Sequence, residues 1–333
     1  MGPFFIFLAL PALFPRAARA RPRRDGVVEA EGDEQGIVFT QLCNVLDPLL
    51  AVALSSVSNE LRTATQALLQ HLRAYHEAAA ALCRKVGLRS CKELREAKEF
   101  HWVNMGLTAD ELALLGTLGS VLPELEVLDI VEPSSAPNGV QRLAAGLSAG
   151  ALPAVITFAV GGMHVGNAGA SELAAALGRG ALPRLKSLHL AYVAIGDAEL
   201  VALAPALRRR PALEILVFTG NPFGDEGVAA LVAPPPPAGA PPPPKEVLTK
   251  LRGLYLRNTQ ITDAGCAALA SALDSSALPA LKELNLDRTL ASDAAQAAVY
   301  ETRDNLEQPG AGAGIESEED EEGEDEDEGE DDV

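Results

Sequence analysis

Asp197, Asp225, Asp263 and Asp293 stand at one recurring position in the chain, and Asn167 replaces the aspartate one step earlier. Two kinds of chemistry suit such a column. Stacked carboxylates offer oxygen ligands to calcium, and a carboxylate just before a helix accepts hydrogen bonds from the unpaired amides of its first turn. Each aspartate directly precedes a run of apolar residues at helical spacing, so the four are read as structural caps and no metal is assigned. The five histidines, His71, His76, His101, His164 and His189, form no HExxH or clustered ligand pattern. Gly161 to Gly169, GGMHVGNAG, lacks the lysine of a phosphate loop and reads as a turn. No nucleophile elbow is present. The expected protein is not an enzyme, with no catalytic residue and no cofactor.

Cys43, Cys83, Cys91 and Cys266 include no CxxC pair, so zinc ribbons and thioredoxin-like chemistry lack support. They are expected as reduced, mostly buried thiols; in a secreted chain Cys83 and Cys91 could pair. The formal charge of −19 is concentrated at one end. Glu316 to Asp332 hold 14 carboxylates, and the rest of the chain has 32 acidic against 27 basic residues, a net of −5. Nucleic-acid binding would call for a basic stripe, which is missing. Residues 310–333 are expected to form a disordered acidic tail that keeps the chain soluble or attracts basic proteins.

The elements that must position everything else are plainest in Leu251 to Leu273, LRGLYLRNTQITDAGCAALASAL. Leu251, Leu254 and Leu256 are spaced for a short strand, and Leu269 and Leu273 lie on one helical face. One such unit cannot bury both faces alone, so copies must stack. In the same register, units open at Ala97, Leu125, Val155, Leu185, Leu213, Leu251 and Leu281, with steps of 28, 30, 30, 28, 38 and 30 residues. The long step contains the insertion 234–244, PPPPAGAPPPP, whose prolines suit polyproline II and SH3-type or WW-type grooves. Leu-Pro pairs at 122–123, 152–153, 182–183 and 278–279, with Arg210-Pro211, break each helix before the next strand.

These units resemble the leucine-rich repeats of the ribonuclease-inhibitor-like class. The resemblance implies an α/β solenoid over 97–309, curved, with parallel strands on a concave face and helices on a convex one. It also implies a protein-binding scaffold that uses the concave face. Residues between the core leucines point out of that face. The protein-binding candidates are His189, Tyr192, Arg252, Tyr255, Arg257, Asn258, Asn285 and Arg288, with Tyr192, Tyr255 and Arg257 as anchors because Tyr and Arg dominate interface energetics.

The flanks add further expectations. Residues 1–36 form an extension in which Pro3 to Phe14, followed by Ala18-Arg19-Ala20, resembles a secretory h-region and cleavage site too short to span a bilayer. Residues 37–96 read as a helical head, and Val45 to Arg62 resembles an F-box, which would recruit a ubiquitin-ligase adaptor. The alternative is a cap over the first repeat. Gln296 to Leu306 reads as a terminal capping helix. Repeats of this kind followed by an acidic tail also resemble Ran GTPase-activating proteins, implying stimulation of a small GTPase and a cytoplasmic or nuclear location. A signal segment would imply a secretory route instead.

Overall fold

The computed structural model describes residues 59–132, 138–232, 248–275 and 277–308, with side chains from residue 70 onward. The chain divides into two units, Met1–Leu42 and Cys43–Val333, and every described residue lies in the second. The signal-like segment, most of the F-box-like segment, the proline insertion and the acidic tail lie outside the described residues.

The head contributes helix α1 (Asn59–Lys85) and the short helix α2 (Cys91–Glu96). Ala79, Leu82 and Cys83 share one face of α1 and, with Leu94 of α2, join the same core as Phe100 and Trp102 of the first repeat. Both helices thus pack against the first repeat.

Seven strands follow: β1 (Glu99–Val103), β2 (Val127–Val131), β3 (Thr157–Gly161), β4 (Ser187–Ala191), β5 (Ile215–Val217), β6 (Gly253–Tyr255) and β7 (Glu283–Asn285). They form one parallel sheet in chain order. Each strand begins two residues after the position that opens its unit in the sequence. Phe100, Leu128, Phe158, Leu188, Leu216, Leu254 and Leu284 therefore fall in register across the sheet, none more than 3% exposed. Between strands run α3 (Ala109–Leu118), α4 (Gly139–Gly146), α5 (Gly166–Gly178), α6 (Asp197–Arg208), α7 (Asp225–Val232) and α8 (Asp263–Asp274), and α9 (Asp293–Tyr300) ends the series. Consecutive helices in this series of seven pack on one another and cover one face of the sheet. The architecture is a leucine-rich-repeat solenoid, as the leucine spacing implied.

The aspartates play a different part from the expected one. Asp197, Asp225, Asp263 and Asp293 are the first residues of α6 to α9, not the residues before them. Thr262 Oγ1 caps α8 by accepting from Ala264 N at 3.3 Å, and Ser292 Oγ caps α9 by accepting from Ala295 N at 3.2 Å. The carboxylates of the first three reach forward into the next unit. Asp197 Oδ1 accepts from Gly224 N at 2.9 Å and Gly227 N at 2.7 Å. Asp225 accepts from Thr262 N at 2.8 Å and Thr262 Oγ1 at 2.6 Å. Asp263 accepts from Ser292 N at 2.6 Å and Ser292 Oγ at 3.1 Å. Each negative group thus sits at the positive end of its neighbour's helix.

Arginines lace the opposite helix ends backward. Arg179 Nη2 donates to Ala144 O at 3.4 Å and Leu147 O at 3.3 Å, and Arg303 donates to Leu273 O at 2.7 Å and Leu278 O at 2.6 Å. The Arg210 guanidinium donates to Leu177 O, to Ala181 O at 2.8 Å and to Leu182 O at 3.2 Å. Carbonyls left open at a helix C-terminus are satisfied by the following unit's cation. Asn221, 1% exposed, couples the fourth and fifth units more tightly still. Its Oδ1 accepts from Val193 N and Ile195 N at 3.2 and 3.0 Å, and its Nδ2 donates to Leu190 O and Phe218 O, both at 2.7 Å.

The C-terminal end is shorter in helix than expected. α9 stops at Tyr300, and residues 301–308 continue in turns. Tyr300 Oη donates to Leu284 O at 2.9 Å, and Glu307 pairs in parallel with Glu283 beside β7.

Candidate functional site

The face of the sheet away from the helices carries the outward residues. Because the strands are in register, one row crosses it as His101, Asp129, Ala159, His189, Val217, Tyr255 and Asn285. Where the strands end, the seventh residue after each unit's opening forms a rim: Asn104, Glu132, Gly162, Tyr192, Gly220, Asn258 and Arg288. All but Glu132 are left-handed, with φ between 53° and 72°. Three candidates drawn from separate stretches of sequence, Tyr192, Asn258 and Arg288, thereby share one column, and all three are exposed.

The row treats its candidates otherwise. Tyr255 is 9% exposed, which corrects its reading as an open anchor. Its phenol donates to Glu283, and its ring lies over Gly253, where an added Cβ would come within 2.9 Å of Tyr255 Cε2. Burial, then the bond to Glu283, push the phenol up to about 12. Asn285 is also buried, at 5%, because its Oδ1 accepts from Asp287 N at 3.0 Å. Neither side chain is presented to a partner. His189 is half-buried, with Nε2 at 2.7 Å from Ser187 Oγ. Burial lowers its pKa, and the Asp129 carboxylate opposes that shift only in part, so the ring is neutral at pH 7. Arg252 is exposed just before β6, and Arg257 is half-buried just after it.

Tyr192 is the most prominent group on this side. It is 58% exposed, and its ring lies on Gly220, where a Cβ would fall 2.3 Å from Tyr192 Cδ1. Only glycine leaves room for that ring, and Gly220 also takes φ +72°. Beside it the sheet floor is low, with Gly161 and Ala191 paired on β3 and β4.

Other arrangements were not apparent from spacing. His101 Nε2 lies 3.6 Å from Glu99 Oε2 and its Nδ1 3.5 Å from Asp129 Oδ2, so the first two strands present an acidic patch around one imidazole. The bond from Ser187 to His189 follows from the alternation of SLHLA, which puts both on one face. Glu132, although on the rim, is 1% exposed and accepts from Gly106 N through Oε2 at 3.0 Å. Among the described residues no group of three or more His, Cys, Asp or Glu is placed to hold a metal, and no helix is long and apolar enough to cross a membrane.

A family model described as Leucine Rich repeat matches residues 211–232 and 247–270. No curated protein matches the chain in sequence. Among solved structures, the chain is similar to an internalin (inlF) from Listeria monocytogenes at 14% identity and a TM-score of 0.30, over 65% of this chain and 61% of that one. It is also similar to a leucine-rich-repeat protein from Leptospira interrogans at 16% identity and a TM-score of 0.31, over 63% of this chain and 58% of that one. The chain spans less than two thirds of the length of either. The matched segments hold β5, α7, β6 and most of α8, so the fifth and sixth units are similar to leucine-rich repeats.

Proposed function

We propose that the protein is a non-enzymatic scaffold that binds a protein partner on the open face of its repeat sheet, anchored at Tyr192. Tyr192 itself carries this reading. Its backbone is left-handed at φ 54°, while the neighbouring rim positions are Gly162 and Gly220. A bulky residue in that conformation costs roughly 1–2 kcal/mol, which folding does not require where glycine would serve. Asn104, Asn258 and Arg288 share this left-handed turn, so it is the 58% exposed ring rather than the backbone that marks Tyr192. An open aromatic ring on a small-residue platform is the usual form of an interface anchor.

Full-length protein as bait tests this, with wild type compared against Tyr192→Gly and against Val201→Ala on the helix side, where Val201 is 38% exposed. Tyr192→Gly relieves the strain, so it melts at or above the wild-type temperature and loses the partner that wild type and Val201→Ala both retain. Equal capture by all three proteins sinks the anchor.

A full α-helix in every repeat, from 8 to 13 residues, supports the ribonuclease-inhibitor-like subclass. The Ran-type alternative rests on the resemblance of the repeats and acidic tail. It requires faster hydrolysis by a GTP-loaded Ran-type GTPase when the protein is added. The F-box alternative rests on Val45 to Arg62 and requires copurification of a Skp-type adaptor.

A further inference from the structure

The head holds a pair of thiols that partner binding on the sheet leaves unused. Cys83 lies in the last turn of α1 and Cys91 is the first residue of α2. Between them the chain reverses tightly, with Val86 N donating to Leu82 O at 3.0 Å, Leu88 N to Cys83 O at 2.8 Å, and Gly87 at φ +79°. Both side chains are buried, 1% and 6% exposed, on the two sides of this turn, and both belong to the core that continues into the first repeat. The third described cysteine, Cys266, sits on α8 in the sixth repeat.

We propose that Cys83 and Cys91 are a disulfide modification site, closed by a small-molecule disulfide such as oxidised glutathione, and that the bond locks the helical head onto the first repeat. The chemistry is two successive exchanges. One cysteine thiolate attacks a sulfur of glutathione disulfide, forming a mixed disulfide and expelling one glutathione thiolate. The second cysteine, as thiolate, displaces the other glutathione and forms the Cys83–Cys91 bond. Two protein thiols are oxidised with loss of two protons and two electrons, and one glutathione disulfide is reduced to two glutathione molecules.

The surroundings set when this happens. Burial, then the neighbouring Cys91, push the Cys83 thiol up, so the closed head holds little thiolate and admits no tripeptide. Exchange therefore runs during folding or when the turn between α1 and α2 opens. Once formed, the bond closes a short loop and removes freedom from the open state. Ala79, Leu82 and Leu94 lie in one core with Phe100 and Trp102, so restricting that opening holds the cap on the first repeat. Disulfides persist in oxidising compartments, and the state of this pair reports which kind the protein occupies.

The test uses full-length protein refolded through glutathione buffers of graded reduced-to-oxidised ratio, then acid-quenched, alkylated, digested and mapped by mass spectrometry. The expected result is a peptide linked through Cys83 and Cys91, with Cys266 still alkylated. Oxidised protein should melt about 4–10 °C above the reduced form. A Cys83→Ala, Cys91→Ala double variant should lose the redox-dependent shift. Should that variant fail to fold, mapping and melting of wild type decide alone. Pairing of either cysteine with Cys43 or Cys266, glutathione adducts that never resolve, or a linked peptide with no change in melting would each overturn the proposal.

Discussion

Leu254 and Tyr255 are neighbours with opposite assignments by alternation, the leucine inward and the tyrosine outward. The first holds without qualification: Leu254 is 0% exposed and in register with Leu216 and Leu284. Leu254→Ala should cost about 2–5 kcal/mol through lost burial and a residual cavity, read as a lower denaturation midpoint in urea. Tyr255 faces outward yet is covered, because Gly253 supplies no side chain and the ring can lie down toward Glu283. Asn285 is hidden for a related reason, its short amide being turned onto Asp287 N. A row position tells which face a residue joins. Its exposure depends on what stands next to it across strands, which a pattern of single residues does not encode. Tyr192, by contrast, is lifted by a left-handed backbone onto a rim whose neighbours are glycines.

At the scale of elements, the helix ends explain how thin units become one structure. A carboxylate at the first helical position has its own helix start behind it and the next helix start beside it, and three of the four aspartates bond the latter. Asp263→Ala removes both bonds to Ser292 and should destabilise by about 0.5–2 kcal/mol, the range for losing a helix-start acceptor. Asp293 has no following repeat among the described residues, and Asp293→Ala should cost under about 0.5 kcal/mol. Equal losses for the two in chemical denaturation would show that the aspartates act within their own helices. The sequence showed that an acidic residue recurs at helix starts. It did not show the recipient, because spacing along the chain is blind to which helix lies alongside.

For the whole molecule, several acidic groups in the repeats resist ionisation. Burial pushes Tyr255 and Tyr300 from 10.0 to about 12, and burial, then Asp263 and Asp225, push Cys266 from 9.0 to about 11. A raised value means that the folded chain keeps a proton that the unfolded chain has released. Stability is then fully present below the unfolded values and falls as pH rises through the folded ones. Melting temperature should hold near neutrality and decline between about pH 9 and 12. Tyr255→Phe should make that decline shallower above pH 10, whereas an unchanged slope would remove Tyr255 from the linkage. Because each repeat touches its neighbours through shared core and laced ends, local losses of this kind propagate along the array.

The sequence by itself determined the repeat, its register and its strand-and-helix content, since leucines at fixed spacing can be buried only by stacking copies in parallel. It also identified the outward face, because alternation along a strand is a local property. Tertiary structure alone decided that Tyr192, Asn258 and Arg288 share a rim, that Tyr255 and Asn285 are closed to a partner, that three of the four aspartates bond the start of the next helix, and that Cys83 and Cys91 are buried in one core. Most of these depend on distances between residues about 30 positions apart, and such distances exist only after the units have stacked.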